Sequence, residues 1–221
     1  LKDKVVEMIA GAHVKINTGN FTNDMTTFHT SDDILTLLIN LGYLAYDLRN
    51  REVYIPNKEI EMEFLNSVNA IGWSEVITAV ENSEKLLQNL WNGEEEAVTS
   101  GIEKIHLENS SILQYHDENA LSCVINLAFY AAQEYYMTVR EFPAGKGYAD
   151  IVYLPRKKYA DKPAMIIELK WNKDAESAVS QIYEKCYPAG LKGYRGEVLI
   201  VGINYDRRTK VHNCKIEKMM I

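Results

Sequence analysis

The chain runs to 221 residues, enough for a substantial core in one or two domains, and its 47% hydrophobic and 25% charged content is ordinary for a globular protein. No apolar run approaches the roughly 18 residues of a membrane-spanning helix, and no signal peptide is visible, so no membrane partner is expected. The formal net charge of −7 argues against a nucleic-acid partner for the chain as a whole, but residues 1–139 carry 8 Lys and Arg against 21 Asp and Glu (−13), and residues 140–221 carry 16 against 10 (+6).

A basic field in the C-terminal part suits a polyanionic substrate; docking of the acidic half on the basic half is the plainer explanation of the same asymmetry. Cys123, Cys186 and Cys214 are widely spaced, odd in number and free of any C-x-x-C pair. Buried reduced thiols in a cytoplasmic protein are therefore expected. The chain opens at Leu1 inside a helical pattern, which reads as part of something larger.

Lys2–Ala12 carries a helical stripe (Val5, Val6, Ile9, Ala10) that stops at Gly11. Val14 to Phe28 is polar and reads as irregular, with Gly19 and Asn20 as turn signals. Ser31 is the expected N-cap of the next helix, with Asp32 and Asp33 favoured by the dipole in its first turn. That helix is apolar nearly all round through Leu41, which predicts a core position, and Gly42 ends it. Tyr43–Leu48 and Glu52–Ile55 predict a hairpin around Arg49-Asn50-Arg51, followed by a helix over Lys58–Val68. Helices followed by a hairpin resemble a winged helix. The helix before the hairpin is too apolar, and its first turn too acidic, for a DNA groove, so a linking role is expected of it.

Trp73–Trp91 is helical, Gly93 breaks it, and the acids Glu94–Glu96 open a further helix that is expected to break at His106–Ser111. Asp117 is the expected N-cap of a helix over Glu118–Met137, with Leu121, Val124, Ile125 and Ala128 on its apolar face. Then come strands at Thr138–Phe142, Tyr148–Leu154 and Ala164–Trp171, a helix at Asp174–Cys186, and strands at Glu197–Ile203 and Val211–Glu217. The near-continuous apolar run Glu197–Ile203 predicts a central strand covered on both faces.

Chemistry gathers in Gly145–Trp171, which reads GKGYADIVYLPRKKYADKPAMIIELKW. Strand side chains alternate, so Glu168 and Lys170 point to one face and Leu169 to the other. If the two strands of this stretch pair with Asp150 on that same face, two carboxylates and an ammonium converge. Two carboxylates suit a hard divalent cation, and a lysine beside them suits the positioning of a water, the outline of phosphodiester hydrolysis.

These residues, in this element order, resemble the PD-(D/E)XK (restriction-endonuclease-like) nuclease superfamily. More closely, the chain resembles the C-terminal region of bacterial AAA-ATPase-like proteins that end in such a domain. The phrases that carry this are DDILTLLINLGYLAYD (Asp32–Asp47), YIPNKEIEMEF (Tyr54–Phe64), GKGYADIVYLP (Gly145–Pro155), IIELKW (Ile166–Trp171), SQIYEKCY (Ser180–Tyr187) and LIVGINYD (Leu199–Asp206). The resemblance implies an α/β fold with a helix, three strands, a helix and two strands in a mixed sheet, preceded by a helical, winged-helix-like region. The boundaries it implies are 1–72 for that region, 73–111 for connecting helices and 112–221 for the nuclease-like domain. It implies Mg²⁺ or Mn²⁺ held by Asp150, Glu168 and the Leu169 carbonyl, with Lys170 positioning the attacking water. Glu118 matches an acid that many relatives carry on the first core helix, and Gln181 a glutamine on the helix after the third strand. Ala149 stands where proline is common. DNA and an ATPase domain of the same full-length protein are the implied partners, although no G-x-x-x-x-G-K-[ST] occurs here.

The reading from the residues alone stays open at several points. The acids and Lys170 also fit a structural ion pair in a catalytically inactive module that serves the ATPase as a regulatory or interaction domain. Glu118 fits a dipole-complementing acid as well as a metal supporter. Glu141 is either a further acid near the metal or a surface charge. Arg156-Lys157-Lys158 and Arg207-Arg208 with Lys210 are either phosphate contacts or exposed loop charge. The five histidines show no metal-ligand spacing.

Overall fold

The protein is described from a computed structural model covering residues 1–20, 28–109, 118–191 and 193–221, with the side chains of 20, 109 and 118–120 set aside. It falls into two compact units, one built on Leu1–Thr78 and one on Ala79–Ser110 with Tyr115–Ile221.

The first unit contains helix α1 (Lys2–Ile9), strand β1 (Val14–Lys15), helix α2 (Ser31–Asn40), strands β2 (Ala45–Asp47) and β3 (Glu52–Tyr54) and helix α3 (Lys58–Ala70). Its sheet has the order β1-β3-β2, antiparallel throughout. β1 lies in a stretch expected to be irregular: two residues are too few for periodicity, and the strand exists only through its pairing of Val14 with Val53. The N-cap of α2 is Thr30, not Ser31. Thr30 Oγ1 accepts from the Asp33 amide at 3.3 Å while Asp33 Oδ2 accepts from the Thr30 amide at 2.7 Å. That reciprocal box satisfies two helix-end amides, whereas a cap at Ser31 would put Ile34, which has no acceptor, at the reciprocal position. Nor is α2 wholly core. Leu35 is fully buried, Leu37, Leu38 and Ile39 only partly, and Leu41 is 52% exposed.

Helix α4 (Ser74–Asn92) leads into the second unit, which continues with α5 (Glu95–Asn109), α6 (Glu118–Ala128) and α7 (Ala132–Tyr135). Strands β4 (Tyr136–Ala144), β5 (Gly147–Pro155) and β6 (Ala164–Trp171) follow, then helix α8 (Ala175–Glu184) and strands β7 (Glu197–Asp206) and β8 (Val211–Met220). They form a mixed sheet in the order β4-β5-β6-β7-β8, with β6 and β7 parallel and all other neighbours antiparallel. Among the described residues no helix is long and apolar enough to cross a membrane.

Both faces of this sheet are buried. Val152, Ile166, Val198 and Ile200 pack with Val179 and Ile182 of α8 on one side. Ile151, Ile167 and Val201 are fully buried on the other, where α6 lies against β6 and α5 against β8. Each such side chain contributes about 1.5–3 kcal/mol by leaving water, so the strands that carry the candidate site are the most firmly held in the unit. The outer edge of β8 is tied to α5: Glu95 accepts from the Ile216 amide at 2.9 Å and from Lys215 Nζ at 3.2 Å.

Two expected boundaries move. The helix expected over Glu118–Met137 ends at Ala128, and Tyr136 already belongs to β4. There its ring is buried and its hydroxyl accepts from Trp91 Nε1 at 2.8 Å, a non-local contact that outweighs helical periodicity. The break expected from His106 comes later, because α5 continues to Asn109 with the buried His106 ring 4.9 Å from that of Tyr205. Asp117, the expected cap of α6, lies outside the described residues.

Candidate active site

The β5–β6 ladder runs from Tyr153↔Met165 to Ile151↔Ile167 and stops there, one residue short of Asp150 and Glu168. Beyond that point the Asp150 carboxylate, not a backbone carbonyl, accepts the Leu169 amide at 2.7 Å. The two strands part, and a side chain closes the hydrogen-bond account of the gap. The N–H and C=O of one strand residue point to the same side, so the Leu169 carbonyl faces the Asp150 side of β6 as well.

Glu168 is 2% exposed and Lys170 7%. Lys170 Nζ lies 2.8 Å from Glu168 Oε1. Gln181 of α8 donates to that same oxygen. The helix comes this close because Gly202, the β7 neighbour of Glu168, has no side chain: a Cβ there would sit 2.2 Å from the Ala175 carbonyl oxygen. Asp174 caps α8, accepting from the Ser177 amide at 2.5 Å. With both donors on Oε1, Glu168 Oε2 is buried and has no hydrogen-bond partner among the described residues. Burial, and next the charge of Asp150, push the Glu168 carboxyl up to about 7, against the pull of Lys170.

The structure thus brings Asp150, Glu168, Lys170 and Gln181 together. Glu118 opens α6, but its side chain is outside the described set. Glu141 occupies the β4 position across from Asp150, where the pairing skips and its φ is +46°; its side chain is exposed. Arg156 and Lys158 precede β6 and bind Gln133 O and Tyr159 Oη, at the opposite end of the strand from Glu168. Arg207 and Arg208 follow β7, at the same end of the sheet as Lys170, and with Asn172 and Asp206 line an open depression of about 520 Å³.

Sequence reasoning missed three neighbours. Tyr187, 2% exposed, accepts a second bond from Gln181 Nε2 at 3.2 Å. Asn204 stands beside Lys170 in the β6–β7 register, fully buried, with Oδ1 accepting from the Lys173 amide at 3.0 Å and Nδ2 without a partner among the described residues. Tyr148, on β5 two residues before Asp150, is 66% exposed. Only Tyr187 had a signal in the sequence, as the last residue of the phrase SQIYEKCY.

Among the described residues no three His, Cys, Asp and Glu side chains gather as a metal cluster. The donor set is instead two carboxylates and a backbone carbonyl, all hard oxygens, with one buried carboxylate oxygen unclaimed. That set fits a cation such as Mg²⁺ or Mn²⁺ that keeps several waters of its own, and it suits no soft metal.

A mixed α/β sheet with a buried acid–lysine pair at parting strands defines a nuclease-type domain. Residues 116–215 match the family model of the PD-(D/E)XK nuclease superfamily, and this stretch, which holds Asp150, Glu168, Lys170 and Gln181, is a domain of that superfamily. A search of curated proteins gives no match.

Proposed function

We propose that the chain is a divalent-metal-dependent nuclease that hydrolyses phosphodiester bonds of DNA. The observation that carries this reading is Glu168 Oε2, a buried, unclaimed carboxylate oxygen beside a second carboxylate. An isolated buried carboxylate costs several kcal/mol unless a cation or proton compensates it. Lys170 and Gln181 both bind the other oxygen, so they hold the carboxylate in one orientation without using the atom a cation would take.

In this reading Asp150, Glu168 and the Leu169 carbonyl hold Mg²⁺ or Mn²⁺. When bound, the ion neutralises charge on the scissile phosphate and lowers the pKa of a water. Lys170 presents an ammonium with donors beyond the one spent on Glu168, and one of them orients the attacking water by its oxygen. That water forms the new P–O bond as one ester P–O bond breaks. Arg207 and Arg208 line the end of the sheet from which a strand of nucleic acid would arrive.

The region before residue 73 is assigned as a winged-helix-like linking part, and the chain as the C-terminal part of a larger ATPase-containing protein. Both assignments rest on the sequence phrases quoted above. The test of the activity is cleavage of plasmid and single-stranded DNA with Mn²⁺ or Mg²⁺. Cleavage that needs the metal and is lost in Asp150→Ala is the expected result. A wild-type protein inert with both metals and both substrates would sink the nuclease reading and leave a non-catalytic module.

A further inference from the structure

We propose that Tyr187 is a positioning residue for the metal site, acting through Gln181 to decide which oxygen of Glu168 is left for the cation. The inference rests on the metal-site reading above and deepens it.

A carboxylate only accepts hydrogen bonds, so the nitrogen of the Gln181 amide must face Glu168 Oε1. The two N–H bonds of an amide nitrogen lie in one plane at a fixed angle. Aiming one at Glu168 therefore leaves the amide free to twist until the other is also held. Tyr187 Oη holds it, accepting from Gln181 Nε2 at 3.2 Å. The amide is then fixed by two partners and keeps its first N–H on Oε1. With Lys170 on the same oxygen, Oε2 remains unclaimed.

Tyr187 can do this because its own place is fixed from outside the helix. It follows Cys186, whose φ of +56° turns the chain out of α8. The turn is gripped by the β4–β5 hairpin tip, where the Lys146 amide donates to the Lys185 carbonyl at 2.8 Å. Gly145 makes that approach possible: a Cβ there would lie 1.9 Å from the Lys185 carbonyl oxygen. On the other side a Cβ at Gly190 would lie 2.6 Å from Ala144 Cβ. The tyrosine is thus held against the hairpin that carries Asp150, and it links that hairpin to the second carboxylate.

The test is Mn²⁺ binding to the full chain, followed by calorimetry and by the spin-resonance signal of the free ion. Four proteins are compared: wild type, Tyr187→Phe, Gln181→Met and the double variant. Tyr187→Phe removes one oxygen atom and is expected to raise the Mn²⁺ Kd about three- to tenfold, with the metal-free melting temperature unchanged. Because Tyr187 acts through Gln181, the double variant is expected to bind no more weakly than Gln181→Met alone. Wild-type affinity in Tyr187→Phe, or two losses that multiply in the double variant, overturns the proposal. So does a fall in metal-free melting temperature in Tyr187→Phe, which would make the tyrosine a core residue only. A wild-type protein that binds no Mn²⁺ fails at an earlier step, removing the metal site itself and this proposal with it.

Discussion

At Glu168 the protein keeps a carboxyl where water cannot stabilise its charge, and the group retains its proton up to about pH 7. A cation needs the ionised form, so proton and metal compete for the same oxygens. Mn²⁺ affinity is expected to fall about tenfold per pH unit below 7 and to level off above it. Calorimetry at pH 6, 7 and 8 checks this, and a flat profile would mean that the ion binds elsewhere. The same shift sets a stability slope in the metal-free protein. Between the ordinary carboxyl pKa of 4.5 and about 7 the folded state holds a proton that the unfolded chain has lost, so stability falls as pH rises through that window. Asp150 contributes to the shift by repulsion. Asp150→Asn keeps an acceptor for the Leu169 amide and removes the charge. It is expected to raise the metal-free melting temperature at pH 8 by about 2–4 °C, the equivalent of about 1 kcal/mol, and to abolish the rise produced by Mn²⁺. Strong destabilisation instead would make Asp150 a structural partner of Lys170.

At the level of elements, the second unit joins α5 to β7 and β8 through aromatic rings. His106 lies 4.9 Å from Tyr205 and 5.0 Å from His212, ring centre to ring centre. Burial lowers His106 to about 4; burial, with the charge of His106 second, lowers His212 to about 3. In the unfolded chain both protonate near 6.5, so their contribution is complete above that pH and is lost as pH falls through 4. Acid unfolding should therefore steepen below pH 6.5, and His212→Phe should flatten it. The opposing slope of Glu168 makes Glu168→Gln the right background for the melting curves, and an unchanged acid slope there would place the proton uptake elsewhere. Neither ring contact was legible in the sequence, since His106 and His212 meet only once α5 lies on β8. What was legible followed local rules. β5 and β6 announce themselves by apolar runs around a Pro-bracketed turn, and period 2 alone puts Glu168 and Lys170 on one face. Gln181 came from the family phrase, and its reach to Glu168 depends on Gly202, a position with no local signal. Tyr187 lies beyond a left-handed residue where helical periodicity has ended. Sequence patterns show the strands that carry the acids; they do not show what orients the acids.

For the whole molecule, charge decides where a polyanion can approach. The excess of −13 before residue 140 and +6 after it directs a nucleic acid to the C-terminal part. Within that part the basic residues lie at two ends of the sheet. Arg156, Lys157 and Lys158 precede β6, while Arg207 and Arg208 follow β7, beyond Lys170 and Asn204. Only the second group shares an end with the candidate site. The turn that carries it is built to stay put: the Arg207 amide donates to Asn172 Oδ1 at 2.8 Å, and Asp206 Oδ1 accepts from the Arg208 and Thr209 amides at 2.8 and 3.0 Å. Those bonds use main-chain groups and leave the guanidinium groups to the depression they line. If each arginine neutralises one phosphate, each releases condensed counterions, and the slope of log K against log salt becomes shallower by about 0.9 per contact on duplex DNA or about 0.7 on a single strand when it is removed. Arg207→Ala with Arg208→Ala is therefore expected to weaken DNA binding and to reduce the slope by about 1.4–1.8, measured with Ca²⁺ in place of the catalytic metal so that the substrate survives. The pair Lys157→Ala with Lys158→Ala, at the far end of β6, should change the slope little. A slope that responds to the lysines and not to the arginines would turn the nucleic acid end for end across the sheet, and would remove the arginines from the path to Lys170.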